Sequence, residues 1–260
     1  MPYAVSRAMS PTHYRLSTRI ARRLREAAGP LPKAQLAQEV LSSPQLPQLS
    51  WSGKLLEGLL DGRFRTNGQE VSLWEWDYPF PPRSEPVVVL DLETTGLSPE
   101  ANEVIEMAFV RLENGNRTEF QRLVNPGCPI PPFITRLTRI RDQDVRSAPD
   151  IYTVLEEAWP LLQGATLIIQ NAGFDLGFLK PRLARLGYRL DNAVVDTVQW
   201  ARRALPGLPK RGLDALAFAF DLGEVQGRHR ALGDVNVTAQ VAYEMYYMLT
   251  AGTPRPLGEL

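Results

Sequence analysis

Residues 78–86, Tyr-Pro-Phe-Pro-Pro-Arg-Ser-Glu-Pro, hold four prolines in nine positions. Proline fixes φ and lacks an amide hydrogen, so neither a helix nor a sheet ladder runs comfortably through such a stretch, and extended chain is favoured. The segment therefore divides the 260-residue chain. We expect a front unit over 1–77, a linker over 78–86, a larger unit over 87–250 and a short tail over 251–260.

In the front unit, apolar residues recur at three- and four-residue spacing over Tyr14 to Ala28 and Leu31 to Leu41, which predicts two helices separated by Gly29 and Pro30. A third helix is expected at about Trp51 to Leu60. Two strands then flank Asn67-Gly68, a pair suited to a type I′ hairpin turn, with the second strand running to Trp76. Helices followed by a hairpin form a winged-helix-like α+β unit. Phe64, Trp74 and Trp76 read more simply as core than as base-stacking residues. Residues 1–65 carry ten Arg or Lys against four acids. That excess suits phosphate contacts and suits a solvated surface equally. The third helix has Lys54 as its one cation, so DNA binding and protein docking both stay open for this unit.

Beyond the linker, Pro86 to Leu92 is an almost unbroken apolar run, as expected of a central strand covered on both faces. Glu103 to Leu112 and Arg117 to Val124 read as further strands joined at Asn114-Gly115. Residues 125–150 read as a proline-bearing loop. Then come a helix at Ile151 to Leu162, a strand at Ala165 to Gln170 and a helix at Phe174 to Leu186 that Pro181 should interrupt or kink. A short strand at Ala193 to Asp196 and helices at Leu213 to Phe220 and Ala231 to Leu249 complete the pattern. A meander followed by alternating helices and strands implies a mixed five-stranded α/β sheet with helices on its faces.

The composition, 44% hydrophobic and 22% charged, is that of a globular protein and excludes wholesale disorder. No eighteen-residue apolar run is present, so a membrane span is not expected. The single cysteine, Cys128, excludes an internal disulfide and suits a reducing, cytoplasmic setting.

Asp91 and Glu93 lie two apart at the end of the first strand, so in extended chain both project from one face. Two carboxylates so placed repel each other unless a cation is shared, and oxygen ligands suit Mg²⁺ or Mn²⁺. Taken alone, Asp-x-Glu is common, and both acids serve equally well as the start of the turn Thr94-Thr95-Gly96. Asp175 sits where a strand gives way to a helix, in Asn171-Ala-Gly-Phe-Asp175, and an acid there can simply favour the helix dipole. His229 and Asp234 are five residues apart, about 140° beyond one full helical turn, so they cannot share a helix face. For both to address one site, His229 must lie on the preceding loop. The other histidine, His13, has no acid or cysteine pattern around it.

Taken together, Asp-x-Glu on a first strand, Asn-Ala-x-Phe-Asp after a later strand and His-x-Ala-x-x-Asp before a final helix resemble the DEDD exonucleases, histidine branch. Leu90-Asp-Leu-Glu-Thr-Thr-Gly-Leu97, Asn125-Pro126 with Pro129-Ile130-Pro131, and Asp196-Thr197 extend the likeness over about residues 84–250. It is closest to the proofreading (epsilon) exonuclease subunit of bacterial DNA polymerase III and its relatives. The resemblance implies a ribonuclease-H-like fold, two Mg²⁺ or Mn²⁺ ions about 3.5–4 Å apart, and release of nucleoside 5′-monophosphates from 3′ ends. It gives Asp91, Glu93 and Asp234 one metal, makes Asp91 a bridge to the second, has Asp175 support that second site, and makes His229 the general base. Thr94, Thr95, Leu97, Asn171 and Phe174 would line the pocket for the terminal nucleotide. Single-stranded or frayed DNA in repair or replication is the expected substrate, with a DNA polymerase or repair protein as a candidate partner. RNA trimming and a non-catalytic accessory role are the rival readings. Two departures from the family pattern bear on substrate fit and leave the acids untouched. Gln170 stands where relatives often have His, and Leu137-Thr-Arg139-Ile-Arg141 replaces a Leu-Thr-Gly-Ile-Thr loop, where a bulky Arg139 alters the loop or adds a phosphate contact.

Overall fold

The computed structural model describes residues 10–41, 52–83, 85–223, 227 and 229–260. The front unit runs α1 (Pro11–Ala27), β1 (Leu31–Pro32), α2 (Lys33–Leu41), α3 (Ser52–Leu59), β2 (Phe64–Thr66) and β3 (Glu70–Leu73). Its sheet has the order β1–β3–β2, all antiparallel. Ile20, Leu24, Leu36, Leu56, Phe64, Val71 and Leu73 form its core. The expected opening residue of α3, Trp51, and the Lys54 side chain lie outside the described residues. The hairpin departs from expectation twice. Of Asn67-Gly68 only Gly68 has positive φ, at 80°, so the turn is not type I′, which needs positive φ at both positions. The second strand stops at Leu73, and Trp74–Trp76 form a 3₁₀ turn.

The larger sheet has the order β6–β5–β4–β7–β8. Its strands are β4 (Val87–Thr94), β5 (Val104–Glu113), β6 (Asn116–Leu123), β7 (Thr166–Ile169) and β8 (Val194–Asp196). β4 is central, antiparallel to β5 and parallel to β7. Asn114 and Gly115 both have positive φ, 51° and 78°, so this two-residue turn is the type I′ that the first hairpin lacks. Because side chains alternate along a strand, Val87 and Val89 face one layer and Val88, Leu90 and Leu92 the other. The first layer consists of α8 (Thr197–Ala204), α9 (Leu213–Ala219) and α10 (Ala231–Thr250), and the second of α6 (Ile151–Leu162) and α7 (Ala172–Arg185).

The expected loop over 125–150 holds two short helices, α4 (Pro132–Thr138) and α5 (Asp142–Val145). Pro132 lies in the first turn of α4, where a missing amide hydrogen costs nothing, so the prolines start a helix here. α8 was also unanticipated. Asp196 caps it, accepting from the Val198 amide at 2.8 Å. α7 runs through Pro181 unbroken, its flanking Phe178, Leu179 and Leu183 fully buried in the core. Among the described residues no helix is long and apolar enough to cross a membrane.

The two units share a seam built on α10. Arg63 is 1% exposed and donates to Glu244 and Asp61 at 2.7 and 2.6 Å, and to Ser17 and Thr18. Arg25 donates to Glu244 from the other side at 2.7 Å. Burial alone would raise the Glu244 carboxyl, but the Arg63 and Arg25 charges outweigh it and hold the group below the usual range. Chain approach is equally close. A Cβ on Gly62 would lie 2.1 Å from the Met248 carbonyl oxygen, and one on Gly252 would lie 2.5 Å from the Trp74 ring. Tyr78 and Phe80 pack against Tyr247 and Tyr246 with tilted rings, centres 5.2 Å apart in each pair, and the tail inserts Leu257 into the same core.

Removing one member of a buried ion pair leaves the other uncompensated, at a cost of about 3–5 kcal/mol. Glu244→Ala is expected to lose that much in urea unfolding, and a loss under about 1 kcal/mol would contradict the seam's role. With its carboxyl depressed, Glu244 contributes fully above its ordinary value of 4.5, and the contribution fades as pH falls further. The fall in melting temperature on acidification should be shallower in Glu244→Gln.

Candidate active site

The alternation of β4 decides where the acids go. Asp91 and Glu93 continue the register of Val87 and Val89, so they belong to the face covered by α10. Asp234 lies in the first turn of α10, and Asp91, Glu93 and Asp234 each offer a carboxylate oxygen within 4.8 Å of the others. Three acids this close form a set of hard oxygen donors that fits a divalent cation such as Mg²⁺ or Mn²⁺.

Asp175 reaches the same strand end from the opposite layer. β7 ends at Ile169, opposite Leu90, so the Leu92 amide lacks a strand partner on that side. The Asp175 carboxylate accepts it at 3.0 Å. Asp175 is 1% exposed. Burial pushes its carboxyl up to about 8, against the pull of the Leu92 amide, and the charges of Glu93 and Asp196 add to the rise. The buried acid is thus adjacent to the three-acid cluster and outside it.

His229 occupies the loop before α10, as the five-residue spacing requires. Its backbone is left-handed, φ 59°, and its amide donates to Asp234 at 3.3 Å. Two devices hold this loop. A Cβ on Gly233 would lie 1.9 Å from the Gly227 carbonyl oxygen, so the chain before His229 rests directly on the helix. Glu106, fully buried and opposite Glu93 across β4–β5, accepts from Arg230 at 2.6 and 3.0 Å, from the Ala231 amide at 2.9 Å and from Gln121 at 2.8 Å. Burial works against the ionised Glu106, but these bonds hold its carboxyl below the usual range. Sequence reading missed Glu106 and Arg230. An acid inside the apolar run from Val104 to Val110 was the signal.

The candidate nucleotide-binding residues fall into two kinds. Thr94 and Thr95 are buried and committed to their own turn. The Thr94 hydroxyl donates to the Gly96 carbonyl at 2.6 Å, and the Thr95 hydroxyl accepts from the Glu103 amide at 2.9 Å. That turn presents Leu97, 84% exposed, a large apolar side chain left to solvent. Asn171 stands before α7 in the left-handed conformation that asparagine tolerates, φ 60°, with its amide donating to Asp196 at 3.2 Å. Phe174 is half-buried against Phe178. Gln170 bridges the end of β7 to the Arg211 carbonyl and the Thr197 hydroxyl, so it acts as a tie between elements at this position.

A groove of about 1150 Å³ lies elsewhere, on the seam, lined by Asn236, Gln240 and Tyr243 of α10. These stand roughly opposite Asp234 around the helix. The groove's three arginines, 22, 25 and 117, are balanced by Glu75, Asp221 and Glu244. Its charges offer a polyanion no net attraction, and the acid cluster is the site where the chemistry is concentrated.

Comparison with known proteins bears on the family and the fold. The chain is 40% identical over 161 residues to the 3′-5′ exonuclease DinG of Bacillus subtilis, covering 61% of this chain and 17% of that one. It is 38% identical over 159 residues to a PolC-type DNA polymerase III of Caldanaerobacter subterraneus subsp. tengcongensis, covering 61% and 11%. The chain thus spans less than a fifth of the length of either relative. Among solved structures, exonuclease X in complex with 5′-overhanging duplex DNA superimposes with a TM-score of 0.52 at 26% identity, covering 66% of this chain and 96% of that one. Escherichia coli exonuclease I with a dT13 oligonucleotide shares the fold, with a TM-score of 0.54 at 21% identity, covering 62% and 40%. Residues 88–242, more than half of the chain, match the family described as Exonuclease, and the protein belongs to that family.

Proposed function

We propose that this chain is a divalent-metal-dependent 3′→5′ exonuclease that releases nucleoside 5′-monophosphates from DNA, preferring single-stranded or frayed 3′ ends. The observation that carries the reading is the meeting of Asp91, Glu93 and Asp234 within 4.8 Å, beside a histidine loop fastened to the same helix. The names of the relatives, a 3′-5′ exonuclease and DNA polymerases, and the DNA held by exonuclease X support DNA over RNA. They also support a replication or repair setting in the cytoplasm with a polymerase as partner. Residues 1–77 are read as a winged-helix-like guiding unit, supported by the sheet order β1–β3–β2 and a core of its own.

In this mechanism Asp91, Glu93 and Asp234 would hold one Mg²⁺ or Mn²⁺, and Asp91 and Asp175 would support a second. Bound there, the ions would lower the pKa of water and stabilise the leaving 3′ oxygen. His229 takes the proton of the attacking water, and its position is fixed by Glu106 acting on Arg230 and Ala231. Leu97 wedges against the terminal base, while Phe174 and Asn171 border the nucleotide. Opening a paired end costs about 1.4 kcal/mol per stacked step, which favours unpaired ends.

The direct test uses 5′-labelled DNA and RNA of one sequence, single-stranded, paired and 3′-mismatched, with Mg²⁺, Mn²⁺ or chelator. A 3′→5′ ladder on DNA that chelator abolishes is expected. Preferential cleavage of RNA would move the reading to an exoribonuclease, and no cleavage with any metal would leave an accessory role. Asp91→Ala and His229→Ala should each lower kcat by about 10²–10⁴-fold with the melting temperature little changed. Full activity in either would overturn the assigned roles. Gly233→Ala drives a methyl group into the Gly227 carbonyl and should lower kcat through displacement of His229, with DNA affinity less affected.

A further inference from the structure

The segment α4–α5 carries a second charge pattern beside the acids. Arg136, Arg139, Arg141 and Arg146 are all exposed, and among the described residues none of them forms an ion pair. Arginines elsewhere are paired in number, among them Arg15, Arg19 and Arg22 on Asp221, Arg25 on Glu75 and Arg122 on Glu157. The two acids within the segment are already engaged. Asp142 accepts from the Ile130 amide and Asp144 from the Arg141 amide, each at 2.8 Å. In a chain of net charge +0, this leaves a local surplus of positive charge.

Arg139 ends α4 in the left-handed conformation, φ 65°. Glycine takes that position without strain, and arginine does not. One helical turn apart on α4, Phe133 and Leu137 are 60% and 39% exposed, so apolar side chains stand among the unpaired cations. That combination suits a single strand, whose phosphates pair with arginine and whose bases stack on apolar or aromatic groups.

Packing places the segment beside the site. Ile130, Ile134, Ile140 and Val145 close over Ile105, and the next residue, Glu106, lies opposite Glu93 across β4–β5. Arg230, next to His229, lies within electrostatic reach of both Glu93 and Asp144.

We propose that Arg136, Arg139 and Arg141, with Phe133 and Leu137, form a strand-binding surface. It grips the phosphodiesters of a single strand behind the 3′ nucleotide. Its placement in the reaction rests on the exonuclease reading, but its affinity for a strand does not. The three arginines supply tracking along the backbone, and the acids supply the cut.

The test is the variant Arg136→Gln/Arg139→Gly/Arg141→Gln, compared with the full chain and with a control, Arg189→Gln/Arg202→Gln/Arg203→Gln. Anisotropy of a 5′-fluorescein dT20 in chelator reads binding at several salt concentrations. Hydrolysis of thymidine 5′-(p-nitrophenyl phosphate) with Mn²⁺ reads the acids alone. The expected result is at least a tenfold weaker Kd and a salt slope smaller by about 2, since each lost contact on a single strand removes about 0.7. Ester hydrolysis should stay unchanged in the variant, and the control should bind as the full chain does. An unchanged Kd and slope, or an equal loss in the control, would overturn the proposal. A full chain that binds dT20 through these arginines but cleaves neither ester nor DNA would sink the exonuclease reading and leave the surface standing. Should the triple variant melt early, Arg139→Gly alone relieves the left-handed arginine, and its slope should fall by about 0.7.

Discussion

Everything at the active site depends on the two-residue alternation of β4. While the strand is buried on both faces its residues are Val87 to Leu90, and the two layers of helices pack against it in turn. Where β7 stops, the strand continues past its parallel neighbour, and the same alternation delivers Asp91 and Glu93 to the α10 side and an unpaired Leu92 amide to Asp175. A slip of one residue would exchange the faces, turning both carboxylates into the apolar α6–α7 layer that now receives Leu90 and Leu92. The apolar run ahead of the acids is therefore what fixes the chemistry as well as the fold.

The parts legible in the sequence are those governed by local periodicity. β4, α6 and α10 follow from apolar spacing, and the loop position of His229 follows from a rotation that no helix can evade. The meeting of Asp91 and Glu93 with Asp234 is a tertiary fact that residue spacing does not carry and that only family likeness implies. What escaped reading was governed by contacts between distant segments. Nothing in Asn67-Gly68 reveals that its strands close a longer loop than those flanking Asn114-Gly115. Pro181 suggests a break because its missing hydrogen bond is a local loss, yet burial of Phe178, Leu179 and Leu183 keeps the helix whole. Glu106 is the clearest omission. A buried acid needs partners, and here its charged one is Arg230, with the Ala231 amide beside it, 124 and 125 residues away along the chain.

The molecule handles charge in three different ways. At the seam, opposite charges are paired, which binds the two units, and the groove there is lined by as many acids as arginines. At the acids, like charges are forced together, and burial with Glu93 and Asp196 nearby keeps Asp175 from ionising easily. Along α4–α5, cations remain exposed and without ion-pair partners among the described residues. A negative strand finds its attraction in the third arrangement.

α10 joins the first two of these arrangements in one rod, with Asp234 in its first turn and Glu244 ten residues later. An α-helix advances about 1.5 Å and turns 100° per residue, so the distance and bearing between cutting site and seam are set by a count of residues. Insertion of one residue between them would swing Glu244 through a quarter turn away from Arg63 even with every side chain retained. The helix therefore works as a graduated ruler, holding the front unit at one fixed azimuth from the acids.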